Sequence, residues 1–515
     1  MNRRGVHRWL LFGSCMLLIG VSIVLVWREQ QSFLGIPIMS ERAYGSLPEY
    51  AYEDLEDYLT QNGQSAAIDR SESVLYVSLD PQMHDEMAHM PVTLALHHPR
   101  YRLFFAPDAA FDDFEQAVLN GHRFTLLAVT PASYMRYDVV FTTLPVIRLS
   151  TEKGFDGYEQ EGDWCLWSDY PSEEGYYCVS ASKARWHKRG GSTKTADKAS
   201  YKITLEKLSG KNNSIPLMNM GSDDDWILNA MSKDDLKLRE MTITRLWNEH
   251  QKMTRYQIPM SPCHYAEVVL DGQYMGLYLL QRRVDNKLLG ERYQNDVIYK
   301  GVVNFAMDFQ AETAFAIQHN PGQIASEELY AYIRPFYNLI LTGDSQYDVL
   351  TIDEENWLDL NVFCSIFALP DNRGSKNIFL IRHELNGEYV LNFDLWDTDM
   401  SMGLLWKNDD ILYAPDNVKS DACFRIEAHA RFDTDKQLYS AYLDEYTRLR
   451  LALLSEENIQ KTILDCYQKI TESGALQRDL EKWGLKNNGE DTLENLLEFV
   501  RTRTDWLDET YLKTE

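Results

Sequence analysis

ALPDNRGSKNIFLIRHELNGEYVLNFDLWDTD, residues 368–399, carries acids and amides at its two ends and strand-forming letters between them. NIFLIRH and EYVLNF are rich in β-branched and aromatic residues and read as a pair of strands. Asp371 and Asn377 stand before the first run; Asp394, Asp397 and Asp399 close the second. The aromatic and apolar letters around the second group predict burial. Like charges at that density repel one another and resist desolvation, so the cluster is costly unless a cation or strong hydrogen-bond donors offset it. A site is the economical reading.

Outward from this stretch the chain alternates strand and helix signals. Residues 326–367 return aromatic and aliphatic letters at helical spacing. Further back, YAEVVLDGQYMGLYLLQRRV sets Asp271-Gly272 between two alternating runs, a strong hairpin signal. DDDWILNAMSKDDLKLREMTITRLWNEH reads as a turn followed by a helix, with Asp234 or Asp235 near its start. In KASYKITLEKL, Ala199, Tyr201, Ile203 and Leu205 alternate with Lys198, Ser200, Lys202 and Thr204, which predicts a half-buried strand with Lys198 and Lys202 on its polar side. Before it, KRGGST gives a cationic, glycine-rich turn whose amides can cradle phosphate; a basic loop feeding a surface strand has the same letters. Residues 437–512 are amphipathic helix, broken at GLKNNGED.

Phosphoryl transfer needs these ingredients in this order: a cation on the triphosphate, a carboxylate to deprotonate the acceptor hydroxyl, and hard oxygen ligands that hold magnesium against the phosphates. RGGST, KASYKITL, DDDWILNAMSKDD with LRE, AEVVLDGQYMGLYLL, VIYKG, LPDN and LWDTDMSMG together resemble the CotH protein kinases, the spore-coat protein H family, over roughly residues 140–510. The resemblance implies an α+β fold of the atypical, secreted protein-kinase type. It also implies ATP with Mg2+ or Mn2+ and phosphorylation of serine, or threonine, on coat or envelope proteins. Asp371 matches the catalytic Asp, and Asp397 the metal-binding Asp of W-D-x-D, with Asp399 a second ligand or its support. Asn377 is the choice for a further metal contact, although it stands one residue beyond the kinase H-R-D-x-x-x-x-N spacing. Arg189, Lys198, Lys202 and Lys300 are the candidates for the phosphates. The chain departs from the family after GLYLL, where Gln281, Arg282 and Arg283 replace an expected Glu. That departure keeps a second reading open, a catalytically inactive kinase-like scaffold that binds a surface or protein partner. A metal-dependent hydrolase using the same acids is a third.

The rest of the chain bounds these readings. Its 515 residues, 44% hydrophobic, exceed what one core usually fills. The formal charge of −27 disfavours nucleic acid, because an acidic surface is repelled by phosphate. Trp9 to Trp27 carries no charge and follows three arginines, which reads as a transmembrane anchor and predicts a single-pass protein of the cell membrane with its body outside. The expected organisation is an anchor over 1–29, a juxtamembrane stalk with helical hints over 30–72, a small β-rich domain over 73–143 and the kinase-like unit over 144–515. HDEMAH, residues 84–89, mimics a zinc-protease motif, but its histidines are spaced to diverge on a helix. No C-x-x-C pair occurs among the seven cysteines. Cys165 and Cys178 either staple a hairpin or remain thiols; Cys364, Cys423 and Cys466 read as buried thiols.

Overall fold

The computed structural model describes residues 32–512, apart from 51–54, 84–90, 108, 153–158, 170–176, 191–195, 291–294, 303–310, 343–350, 373–375, 386, 406–435 and 488. The N-terminal part is a five-stranded sheet, β1 (Ile68–Asp69), β2 (Val74–Ser78), β3 (Arg102–Phe105), β4 (Arg123–Val129) and β5 (Tyr134–Thr142), in the order β1-β2-β5-β4-β3. Phenylalanines fill its core; the Phe33 and Phe114 rings lie 4.7 Å apart. Phe33, Ile36, Leu55, Leu59 and Ile68 belong to that core, so the described part of the segment expected as a stalk is packed into the sheet. That segment holds short helical turns at Glu41–Tyr44 and Glu56–Tyr58, after which Leu59–Gln61 is a strand laid against Leu94–Leu96.

Seven strands then close into a barrel: β6 (Val146–Thr151), β7 (Gln160–Ser168), β8 (Cys178–Arg189), β9 (Ser200–Glu206), β10 (Asp225–Asn229), β11 (Cys263–Leu270) and β12 (Gln273–Arg282). Every pairing is antiparallel except β6 with β11, which is parallel and shuts the ring. Alternation decides the two faces. Trp164, Trp186, Ile203, Trp226 and Tyr278 share the buried barrel core. Ile227, Cys263, Tyr265, Leu277 and Leu279 belong instead to cores formed with the rest of the molecule. The β11–β12 turn is Asp271-Gly272, with φ of 50° and 72°, the positive values that a two-residue hairpin of matching twist demands.

Against the outer barrel face lies a second sheet: β13 (Val297–Gly301), β14 (Phe315–His319), β15 (Thr351–Ile352), β16 (Ile378–Leu385) and β17 (Glu388–Leu395), in the order β14-β13-β16-β17-β15. Ile227 of the barrel packs with Ile298, Phe379, Ile381 and Trp396 of this sheet. Helix α1 (Arg239–Gln251) begins where the Asp234 carboxylate accepts from the Leu238 and Arg239 amides at 2.9 and 3.0 Å. α2 (Ser326–Thr342) and α3 (Glu354–Phe367) follow, and α3 delivers the chain to Asp371. α4 (Lys436–Arg450), α5 (Glu456–Glu472), α6 (Ala475–Trp483) and α7 (Leu493–Tyr511) form the helical tail expected from periodicity.

Two expectations are corrected. The fold class is a mixed α/β architecture built on a closed seven-stranded barrel with several further sheets, in place of the expected kinase-like α+β unit. Strands read one at a time carry no sign of closure, which here depends on a parallel pairing between distant segments. No helix among the described residues is long and apolar enough to cross a membrane, against the expected single-pass anchor and membrane localisation; residues 9–27, where that reading rested, lie outside the described residues. Of the two readings left open for Cys165 and Cys178, the staple is not formed: register sets Cys178 opposite Ser168 and Cys165 opposite Ala181, so they do not face each other. Cys364 and Cys466 are buried thiols as expected, whereas Cys423 and HDEMAH lie outside the described residues.

Candidate functional site

Register brings the two ends of residues 368–399 together. β16 and β17 pair with Ile378 opposite Leu395, and just past this ladder the Trp396 amide donates to the Asn377 carbonyl at 3.1 Å. Asn372 locks the corner, donating to the Asn377 and Trp396 carbonyls at 2.9 Å each. Asn377 and Asp397 both sit in the left-handed region, φ 58° and 57°, which Asn and Asp tolerate better than most residues.

Asp371 is buried here. Both its oxygens accept from Lys376 Nζ at 2.8 Å, and Oδ2 accepts from Asn377 Nδ2 at 3.0 Å. Burial pushes its carboxyl above the ordinary range; Lys376 opposes this and the Asp397 charge adds to it. Asp399 is driven well above that range by burial, then by Asp397, Glu240, Asp234 and Asp371. Asp371, Asp397 and Asp399 therefore lie within one electrostatic field. Asp394 stands apart: fully buried opposite Phe379, its carboxyl is raised by burial, with the Leu395 amide opposing and no contribution from the other acids. It is a strand residue facing an apolar core, not part of a solvated turn.

Two of the four sequence-derived cations reach this corner. The Arg189 guanidinium, at the end of β8, and Lys300 Nζ, in β13, each lie 5.5 Å from the centre of the Trp396 ring. Burial lowers the basicity of both. Lys300 is pushed down to about 8 by burial and then by Arg189, with Asp397 opposing; Arg189 is supported by Asp397 and Glu240. Among the described residues neither side chain forms an ion pair or hydrogen bond. The other two do not converge here. Lys198 Nζ donates to Asp479 Oδ1 and to the Leu277 carbonyl, both at 2.5 Å, and Lys202 pairs with Asp225 at 3.2 Å.

Sequence reasoning gave no role to Glu240. It lies in the first turn of α1, is buried, and accepts from the Thr398 hydroxyl at 2.8 Å as well as from the Thr398 amide, clamping the residue between Asp397 and Asp399. Its other oxygen accepts from Gln281 Nε2 at 3.0 Å. Burial and then Asp397 push its carboxyl up to about 7. The LRE piece of the resemblance contained this residue, and the Gln281 departure was its counterpart: a glutamate at 281 would bring a second carboxylate against Glu240, whereas the amide donates to it. Lys376 was also missed; its signal was its place between Asp371 and Asn377.

The donors fit a hard divalent ion. Asp397 and Asp399 offer carboxylates, and among the described residues neither has a side-chain hydrogen bond or ion pair. With its nitrogen committed to Asp371, Asn377 retains a carbonyl oxygen for Mg2+ or Mn2+. These groups do not form a closed cage: the acids here do not bring three ligand atoms within 4.8 Å of one another. Magnesium is commonly held by one or two carboxylates with phosphate oxygens completing its shell, which an open arrangement suits.

A family model described as CotH kinase protein matches residues 187–507, more than half of the chain, and the chain belongs to this family. Membership is consistent with a kinase-like function. None of the curated proteins matches the chain.

Proposed function

We propose that the protein transfers the γ-phosphoryl group of ATP to a serine or threonine hydroxyl of a protein. The observation that carries this reading is the pair of cations without a carboxylate in contact among the described residues, Arg189 and Lys300, set against the Trp396 ring and in the field of Asp397. Two like charges drawn out of water side by side are costly, and a polyphosphate would relieve them.

In this reading Arg189 and Lys300 hold the phosphates, and Asp397, Asp399 and Asn377 would hold Mg2+ or Mn2+. The ion supplies charge neutralisation on the transferring group. Asp371 takes the proton as the acceptor oxygen bonds to the γ-phosphorus; the bond to the bridging oxygen breaks and ADP leaves. A carboxyl raised toward the working pH suits a general base, and Lys376 and Asn377 orient it. Glu240 positions Thr398 and with it the metal-binding acids. Nucleic acid is not proposed as a partner, in keeping with the acidic balance of the chain.

The test is incubation of the protein with ATP labelled in the γ position, Mn2+ and a mixed protein substrate, beside Asp397→Asn. Label on serine or threonine with the wild type alone supports the reading. Equal background with both sinks it in favour of an inactive scaffold, and free phosphate without protein label would indicate a hydrolase.

A further inference from the structure

At the far end of α1 from Glu240, three side chains from three helices meet: His250 of α1, Asp359 of α3 and Glu445 of α4. One ligand atom from each lies within 4.8 Å of the other two, and this is the one such group of His, Cys, Asp and Glu among the described residues. His250 and Asp359 are 1% and 0% exposed in side chain. His250 Nε2 stands 2.7 Å from Asp359 Oδ2, yet neither ring nitrogen of His250 makes a hydrogen bond. Asp359 shares a hydrogen bond with Glu445.

A buried imidazole without hydrogen bonds is costly and rare. Hydrophobic packing does not supply the missing partner, since His250 is flanked by the Trp247 and Phe363 rings. The Arg448 guanidinium binds Glu445 and lies 3.6 Å from Asp359 Oδ1, on the half-exposed rim. Burial and then Glu445 push the Asp359 carboxyl up to about 10, so without a metal it holds a proton that an arriving cation would displace. One imidazole with two carboxylates is a donor set for zinc-class divalent ions, with a fourth position for water.

We propose that His250, Asp359 and Glu445 form a binding site for a zinc-class divalent cation, distinct from the acids around Asp397. Along α1 the two sites are ten residues, or roughly 15 Å, apart. The ion would cross-link α1, α3 and α4, fixing the helix that carries Glu240 against the helix that leads to Asp371.

The experiment uses the full chain, stripped with chelator, mixed with Zn2+, passed through a desalting column and analysed for retained metal. Wild type and Asp397→Asn are expected to retain one equivalent, and His250→Gln and Asp359→Asn to bind at least about 100-fold more weakly. Co2+ in the same site should give visible absorption that His250→Gln abolishes. Circular dichroism of the metal-free proteins controls for folding, and Glu445→Gln, at the rim, serves if a buried variant does not fold. Loss of zinc in Asp397→Asn with retention in His250→Gln would overturn the proposal. So would no retained metal in the wild type, the result expected if Asp359 and Glu445 merely share a proton.

Discussion

Lys198 and Lys300 are both withdrawn from water, and they differ in what faces them. Lys198 meets the Asp479 carboxylate and the Leu277 carbonyl, with Lys237 on the other oxygen of Asp479 at 3.4 Å. Burial raises the Asp479 carboxyl, but Lys198 and Lys237 outweigh it and hold the group below its ordinary range. A carboxylate inside the protein faces this lysine, although burial and Lys237 still push Lys198 itself down to about 7. Lys300 meets the Trp396 and Phe379 rings and a second cation, Arg189, with no carboxylate in contact among the described residues. Matched buried charge is architecture; unmatched buried charge is a place for something that arrives.

Substitutions separate the two regions. Asp371→Asn, at the unmatched corner, should lower turnover by about 10²–10⁴-fold with ATP binding retained, measured by phosphate transfer and by equilibrium binding. Lys198→Ala strips a buried carboxylate of its main partner and should cost about 3–5 kcal/mol in denaturant unfolding. A loss of ATP binding by that variant in its folded form would break the contrast. Lys300→Met should weaken ATP binding by roughly 10–100-fold while leaving stability unchanged or slightly raised, because it removes an unpaired buried charge.

The same lysine gives the contrast a pH signature. Its folded value of about 8 lies below the ordinary 10.5. The unfolded chain therefore binds more protons between these values, and this group's contribution makes stability rise with pH across that window. ATP affinity should move the opposite way, falling as pH passes 8 and the ammonium is lost. Lys300→Met should flatten both trends. Smallest in size, Gln281→Glu should cost about 1 kcal/mol near neutral pH, since it replaces the donor to Glu240 with a second acceptor. The loss should shrink as pH falls through about 7, where Glu240 takes up a proton.

Local signals were legible in the letters. The alternation of Tyr201, Ile203 and Leu205 became the inner face of β9, Asp271-Gly272 became a hairpin turn, and the helical tail appeared where periodicity set it. What could not be read was distance-dependent. Lys198 and Lys202 look alike on an alternating strand, but the partner that makes Lys198 structural is 281 residues away. Glu240 meets Thr398 across 158 residues. Asp225–Asn229 reads as part of a turn because of its acidic neighbours, yet it is a fully buried barrel strand, its place won by pairing with β9 and β12. Closure of the barrel is likewise a property of the set.

The most direct measurement is calorimetric titration of a non-hydrolysable ATP analogue with Mn2+ into the wild type and into the Arg189→Gln, Lys300→Met double variant, folding checked for each. Saturable binding by the wild type, weakened by well over tenfold in the double variant, is the result expected if the unmatched cations are the phosphate site. Equal binding by the two proteins, or none by the wild type, would contradict it.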